Sequence, residues 1–322
     1  VKTPTARGRT ERSSVMRRRW LIIGLAVFLL IDAVLIVLAL TANRPAGTAG
    51  ETPAAKPTVE ATETTAPTAE PTAPPEAQPA VAPTRVLAAL DGTTAWRASA
   101  GACPATQATA ELTTDAGATW VPSNASTDTG ASAILSINAI DADEASMVTL
   151  AAPDCAPQLV GTFVAGAQWA AYPDRLGANW YVNPADRATV NSPAGSFPAP
   201  CASVIAVAPR SDTVAGVLCA EGAVVRTGDG GATWGPPIAA PGAVHLSVTG
   251  EGYILLAANQ PNCAGAQVSS TTEAPDGAIT PVGCREAAFN PGEAVIASAG
   301  DTVWLWAGET VSKSTDGGAT WQ

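Results

Sequence analysis

One histidine, three tyrosines, six cysteines and 28 acidic residues are the groups with which this 322-residue chain could do acid–base or nucleophilic chemistry. His245 is the sole histidine, so a Cys–His dyad or a Ser–His–Asp triad would have to be built on it. It stands in the alternating stretch AVHLSV, and an ordinary strand residue is the expectation. Glycoside hydrolysis needs only two carboxylates at a suitable separation. The 21 Asp and Glu between Arg85 and Gln322 supply the material, and no pair among them stands out. Asp141, Asp143 and Glu144 form the densest acidic group. A calcium loop uses such residues, but so does a solvated turn between two strands, and the turn is expected. Tyr172, Tyr181 and Tyr253 and seven arginines of the same stretch complete the inventory. It singles out no catalytic, cofactor-binding or metal-binding residue and implies no cofactor.

The elements that would position these residues are marked by a phrase that occurs three times. TTDAGATW runs from Thr113 to Trp120, TGDGGATW from Thr227 to Trp234 and STDGGATW from Ser314 to Trp321. In the shared frame S/T-x-D-x-G-x-T-W each residue has a task in a tight β-hairpin. The Asp carboxylate accepts hydrogen bonds from turn N–H groups, and the Gly takes a positive φ. The Thr re-enters a strand and the Trp buries a large ring.

This frame resembles the Asp-box, or BNR repeat, of β-propellers, the fold superfamily of sialidases and of Ycf48-type assembly factors of photosystem II. The resemblance implies an all-β propeller and says little about activity, because the box serves enzymes and non-enzymes alike. A sialidase would further need its Arg-Ile-Pro motif, three arginines gathered on a substrate carboxylate, and a Tyr nucleophile paired with Glu. Arg85 is followed by Val-Leu and Arg97 by Ala-Ser, and no Arg-Ile-Pro occurs. The box aspartates are poor catalytic candidates, since the hairpin already uses their carboxylates. Of the tryptophans outside the boxes, Trp304 and Trp306 point to one face of one strand and are expected to pack between blades.

Box spacing serves as a ruler. Asp115 and Asp229 are 114 residues apart, and Asp229 and Asp316 are 87 apart. Steps of about 40 residues suit four-stranded blades. The arithmetic gives six blades, with a third, Leu176 to Pro200, short enough to leave five as the fallback. Decayed boxes are expected at Thr162 to Trp169, which keeps mainly its Trp, and at Ser269 to Ile279. The chain reaches Gln322 directly after a box, so the last blade would need an outer strand from elsewhere, and Ala80 to Val86 is a candidate.

Composition divides the chain into residues 1–19, 20–40, 41–84 and 85–322. Residues 1–19 carry seven Lys and Arg against Glu11 and read as a basic cytoplasmic stub. Trp20 to Leu40 is 21 residues of almost unbroken apolar sequence, long enough at about 1.5 Å per residue to cross a bilayer. The preceding arginines predict an uncleaved signal-anchor with the N-terminus inside and the C-terminal domain extracellular. Asp32 within it is read as a tolerated acid. Residues 41–84, rich in Pro, Thr, Ala and Glu without an aromatic, are expected to form a disordered linker. Residues 85–322 carry eight Lys and Arg against 21 acids, which excludes nucleic acid as a partner. All six cysteines lie there with no C-x-x-C pair, pointing to three disulfides in an oxidising compartment rather than to zinc. Of 15 possible patterns, the expected one is Cys201–Cys219, Cys263–Cys284 and Cys103–Cys155.

The expectation is therefore a membrane-anchored propeller at the bacterial cell envelope. It would meet the lipid bilayer through Trp20–Leu40 and bind a protein or glycan without catalysis. The alternative is a cell-surface glycoside hydrolase of sialidase-like fold.

Overall fold

Short apolar strands broken by Gly, Asn and Asp turns satisfy their backbone groups by pairing with the next strand, which gives antiparallel meanders. In the computed structural model, which describes residues 79–274 and 277–322, six such sheets follow one another. The first holds β1 (Arg85–Ala89), β2 (Ala95–Ser99), β3 (Thr109–Thr113) and β4 (Val121–Asn124). The second holds β5 (Ala131–Ala139), β6 (Ala145–Ala151), β7 (Ala156–Thr162) and β8 (Ala170–Ala171). A 3-10 helix, Pro173–Ala178, leads to a three-stranded sheet of β9 (Tyr181–Asn183), β10 (Asp186–Ser192) and β11 (Gly195–Pro198). The fourth comprises β12 (Val204–Pro209), β13 (Ala215–Cys219), β14 (Ala223–Thr227) and β15 (Ile238–Ala239). The fifth comprises β16 (Ala243–Val248), β17 (Gly252–Ala257), β18 (Ala266–Thr272) and β19 (Thr280–Arg285). The last has β20 (Ala294–Ala299), β21 (Thr302–Ala307) and β22 (Thr310–Ser314).

β1, β5, β12, β16 and β20 are innermost, and β1 lies against both β5 and β20, so the sheets form a closed six-bladed propeller. The core is the set of interfaces between adjacent blades. Trp96, Met147, Val160 and Trp169 fill the first interface, and Ile254, Leu256, Ile296 and Leu305 fill the one between the last two blades. Each such side chain contributes about 1.5–3 kcal/mol on burial.

The third blade lacks its innermost strand. Trp304, on the second strand of the last blade, donates its indole N–H to the Asp91 carbonyl of the next blade at 2.9 Å. Trp180 donates in the same way to the Ser211 carbonyl at 3.0 Å, which assigns β9 to the second-strand position. The chain gives β8 only two residues, turns through the 3-10 helix and starts β9 from the same face. This is why the block from Leu176 to Pro200 is short.

Ring closure differs from the expectation that Ala80 to Val86 completes the last blade. Ala80 N–H bonds the Ala220 carbonyl of the fourth blade at 2.7 Å, and Thr84 N–H bonds the Gly292 carbonyl at 2.9 Å. Arg85–Ala89 is then the innermost strand of the first blade. Pro79 and Pro83 lack the N–H groups that a ladder requires. Closure comes instead from β20 against β1, from the Trp304 bond, and from Lys313 Nζ on the Gly92 carbonyl at 2.9 Å. Cys103–Cys155, Cys201–Cys219 and Cys263–Cys284 are the disulfides, the first joining neighbouring blades. The stub, the span Trp20–Leu40 and residues 41–78 of the linker lie outside the described residues.

Candidate functional site

The three full boxes are hairpins whose aspartates are held by their neighbours. Asp229 accepts from the Thr233 N–H at 2.9 Å, the Thr233 hydroxyl at 2.6 Å and the Thr227 hydroxyl at 2.8 Å. Asp115 and Asp316 repeat this pattern. These donors favour the carboxylate and hold all three aspartates at about 2, led by the Thr119 hydroxyl for Asp115, the Thr233 hydroxyl for Asp229 and the Ser314 hydroxyl for Asp316. The residue after each Asp has a positive φ and docks on the turn between the first two strands of its own blade. Ala116 N–H reaches the Thr93 carbonyl at 2.9 Å and Gly230 N–H the Thr213 carbonyl at 2.8 Å. The box aspartates thus shape their hairpins.

Thr162 to Trp169 keeps the box geometry without its Asp. The Thr162 hydroxyl accepts from the Gly166 N–H at 2.9 Å, and Ala165 N–H reaches the Asp143 carbonyl at 2.8 Å. The acidic group Asp141, Asp143 and Glu144 is the turn that receives it: Asp141 Oδ1 accepts the N–H groups of Asp143 and Glu144 at 2.8 and 2.7 Å. Asp91 forms the same turn in the first blade. Among the described residues the one group able to present three ligand atoms together is Cys201, Cys219 and Glu221, and its two cysteines are bonded to each other.

Tyr253 is where the sialidase inventory converges. Arg210 and Arg226 lie 5.9 and 5.6 Å from its ring, and Glu273 pairs with Arg210 at 2.7 Å. The side chain is 1% exposed, and burial pushes its hydroxyl up to about 12 against the two guanidinium charges, the reverse of an activated nucleophile. The arginines are engaged in structure: Arg210 with the carbonyls of Thr249, Gly250 and Gly252, and Arg226 with the Thr271 hydroxyl and the Ala274 carbonyl of the decayed fifth box. Burial also raises the Tyr181 hydroxyl.

His245 lies on innermost strand β16, where its Nδ1 accepts the Ile296 N–H of β20 at 3.3 Å. Protein encloses the ring while leaving it some accessible surface, and burial lowers it to about 4. Trp304 is buried, and Arg85 and Arg97 lie 4.4 and 4.9 Å from the ring centre of Trp306, two residues on. Both pack against the first blade, as expected. The five innermost strands contain no Asp or Glu, so the centre of the ring offers no carboxylate pair from them.

The gap left by the missing strand produces two depressions that the sequence did not disclose. One, of 310 Å³, is lined by Asn179, Tyr181, Asn191 and the Ser192 to Ser196 hairpin. The other, of 240 Å³, lies between the second blade and the 3-10 helix and is lined by Ile140, Glu144, Leu159, Phe163, Tyr172 and Arg175. Phe163 meets Tyr172 edge to face at 6.0 Å, and Arg175 lies 4.8 Å over the Tyr172 ring. The available signal was the apolar Phe163-Val164 in place of the polar box residues.

No protein-family model matches the chain, and no curated protein sequence matches it. Among solved structures it is similar to Ycf48 bound to a D1 peptide, with 19% identity and a TM-score of 0.27 over 76% of this chain and 69% of that one. Ycf48 from Cyanidioschyzon merolae is 15% identical, with a TM-score of 0.27 over 77% and 86%. PorZ, an essential bacterial surface component of the type-IX secretion system of Porphyromonas gingivalis, is 12% identical, with a TM-score of 0.38 over 76% of this chain and 38% of PorZ. At such identities these likenesses concern the fold alone.

Proposed function

We propose that the chain is a membrane-anchored, extracytoplasmic propeller acting as a non-catalytic binding or scaffold module for a protein or glycan at the bacterial cell envelope. The observation that carries this reading is the use already made of the reactive groups. The box aspartates, Asp141, Tyr253 and the arginines around it all serve the fold, and the innermost strands bring no carboxylate to the centre. What remains for function is surface. Anchoring through Trp20–Leu40 rests on the length and apolarity of that run and the arginines before it. The three disulfides support an oxidising compartment.

The test is affinity capture with the full chain in detergent against an envelope extract, with glycosidase activity assayed in parallel. One specific partner recovered without hydrolysis is expected. Turnover of a glycoside, abolished by changing a carboxylate pair, would replace this reading with the hydrolase.

A further inference from the structure

The second blade carries an anomaly in the place where its siblings are most alike. Positions two and three of the full boxes are Thr114-Asp115, Gly228-Asp229 and Thr315-Asp316. In the second blade they are Phe163 and Val164, each 48% exposed. Neither is needed to form the turn, because the Thr162 hydroxyl and Ala165 N–H already make the bonds that shape it. Ile140, from the adjoining turn, is 46% exposed. These are three of the five large apolar side chains exposed among the described residues; Ile140 and Phe163 line one depression, and Val164 follows Phe163 in the chain. Leaving them in water forfeits burial energy that the polar residues of the sibling boxes would not.

The third blade's missing strand keeps this surface open. In a complete blade the innermost strand and its turn would stand beside it, whereas here the chain passes as the 3-10 helix Pro173–Ala178. At 240 Å³ the depression is smaller than the ~300–1,000 Å³ typical of small-molecule sites and suits one anchoring side chain. Glu144 and Arg175 line it, and Asp141, Asp143 and Asp174 lie within three residues of them in the chain, which leaves the adjoining turns acidic. The ion pairs among the described residues, Arg97–Glu111 and Arg210–Glu273, use none of these acids. An occupant that complements the site is apolar at its centre and basic at its flanks. Tyr172 does not offer a sugar an open face: Arg175 lies over its ring, and the Gly161 backbone packs so close to it that a Cβ there would meet it at 3.2 Å.

We propose that the depression beside Phe163 is a docking site for an extended peptide segment that presents one large apolar side chain between Lys or Arg residues. This deepens the binding-module reading and rests on it.

The test uses the full chain in detergent and fluorescein-labelled peptides of sequence KKFLKK, EEFLEE and KKSSKK. KKFLKK alone should bind, more weakly at higher salt. The double variant Phe163→Thr, Val164→Asp gives the blade the residues of its siblings, so its melting temperature should hold while KKFLKK affinity falls by about tenfold or more. Phe163→Ser alone should lower affinity in the same direction. Absence of KKFLKK binding, equal binding of either control peptide, unchanged affinity in the double variant, or displacement by chitotetraose would each overturn the proposal. The two readings fail separately. If wild type and double variant capture the same envelope protein equally well, this site is wrong and the binding module stands. If glycoside turnover appears and no partner is captured, the module itself is wrong.

Discussion

The indole N–H of Trp304, in the last blade, donates to the main-chain oxygen of Asp91, in the first, at 2.9 Å. The bond joins residues 213 positions apart and completes the ring where no shared strand does so. Trp304→Phe should keep most of the packing and lose about 1 kcal/mol, whereas Trp304→Ala should lose about 3–5 kcal/mol. Urea denaturation measures both, and a Trp304→Phe variant as stable as wild type would remove the hydrogen bond from the account of closure.

Acid should act through the boxes. Asp115, Asp229 and Asp316 are held at about 2 in the folded chain, below the ordinary 3.8. A depressed carboxylate contributes stability that is complete above the unfolded value and is lost as pH falls toward the folded one. The denaturation midpoint should therefore drop between about pH 4 and pH 2, and Asp229→Asn should flatten that slope. Parallel profiles for the two proteins would count against the assignment.

His245 acts in a separate window. Its ring is lowered from 6.5 to about 4 by burial, so between those values the unfolded chain binds a proton that the folded chain does not. Stability should decline as pH falls from about 6.5 toward 4, and His245→Gln should remove that decline. Titration of the ring by NMR near 6.5 in the folded protein would be the contrary result.

Two box glycines with similar backbones should respond differently to a methyl group. Gly230 and Gly317 have φ of 79° and 71°. A Cβ on Gly230 would lie 2.5 Å from that of Ala194, while one on Gly317 would meet nothing within 4 Å. Gly317→Ala should cost about 1 kcal/mol for the left-handed backbone, as Ala116 already bears in its box, and Gly230→Ala distinctly more. Equal losses by thermal denaturation would refute the steric argument.

The disulfides should rank by the loop they close. Cys103 and Cys155 are 52 residues apart, and Cys201 and Cys219 are 18 apart. Replacing the first pair by Ser should cost about 4 kcal/mol and the second about 3 kcal/mol. The reverse order in chemical denaturation would place the effect elsewhere.

Repetition made most of the fold legible. Trp120, Trp234 and Trp321 marked three blades outright, Trp169 marked a fourth after its Asp was gone, and box spacing gave the count. The cysteine pairing followed from proximity along the chain for Cys201–Cys219 and Cys263–Cys284, which left Cys103 for Cys155. Two things were not legible. The lost strand of the third blade showed as a short block, but which strand was lost depends on the partner of Trp180, a tertiary fact. Phe163 and Val164 read as decay, and only the absence of a neighbouring strand turns that decay into an open apolar surface. Arg210 and Arg226 could not be placed from sequence either, because their partners lie in the next blade, Arg210 on the turn between β16 and β17 and Arg226 on the decayed box.

The boxes all turn on one face of the ring, and the cystines all lie toward the other, where Ala80 and Thr84 also join it. The molecule is accordingly two-sided in its chemical vulnerability. A reductant should act first on the cross-linked rim, and strong acid first on the aspartate hairpins.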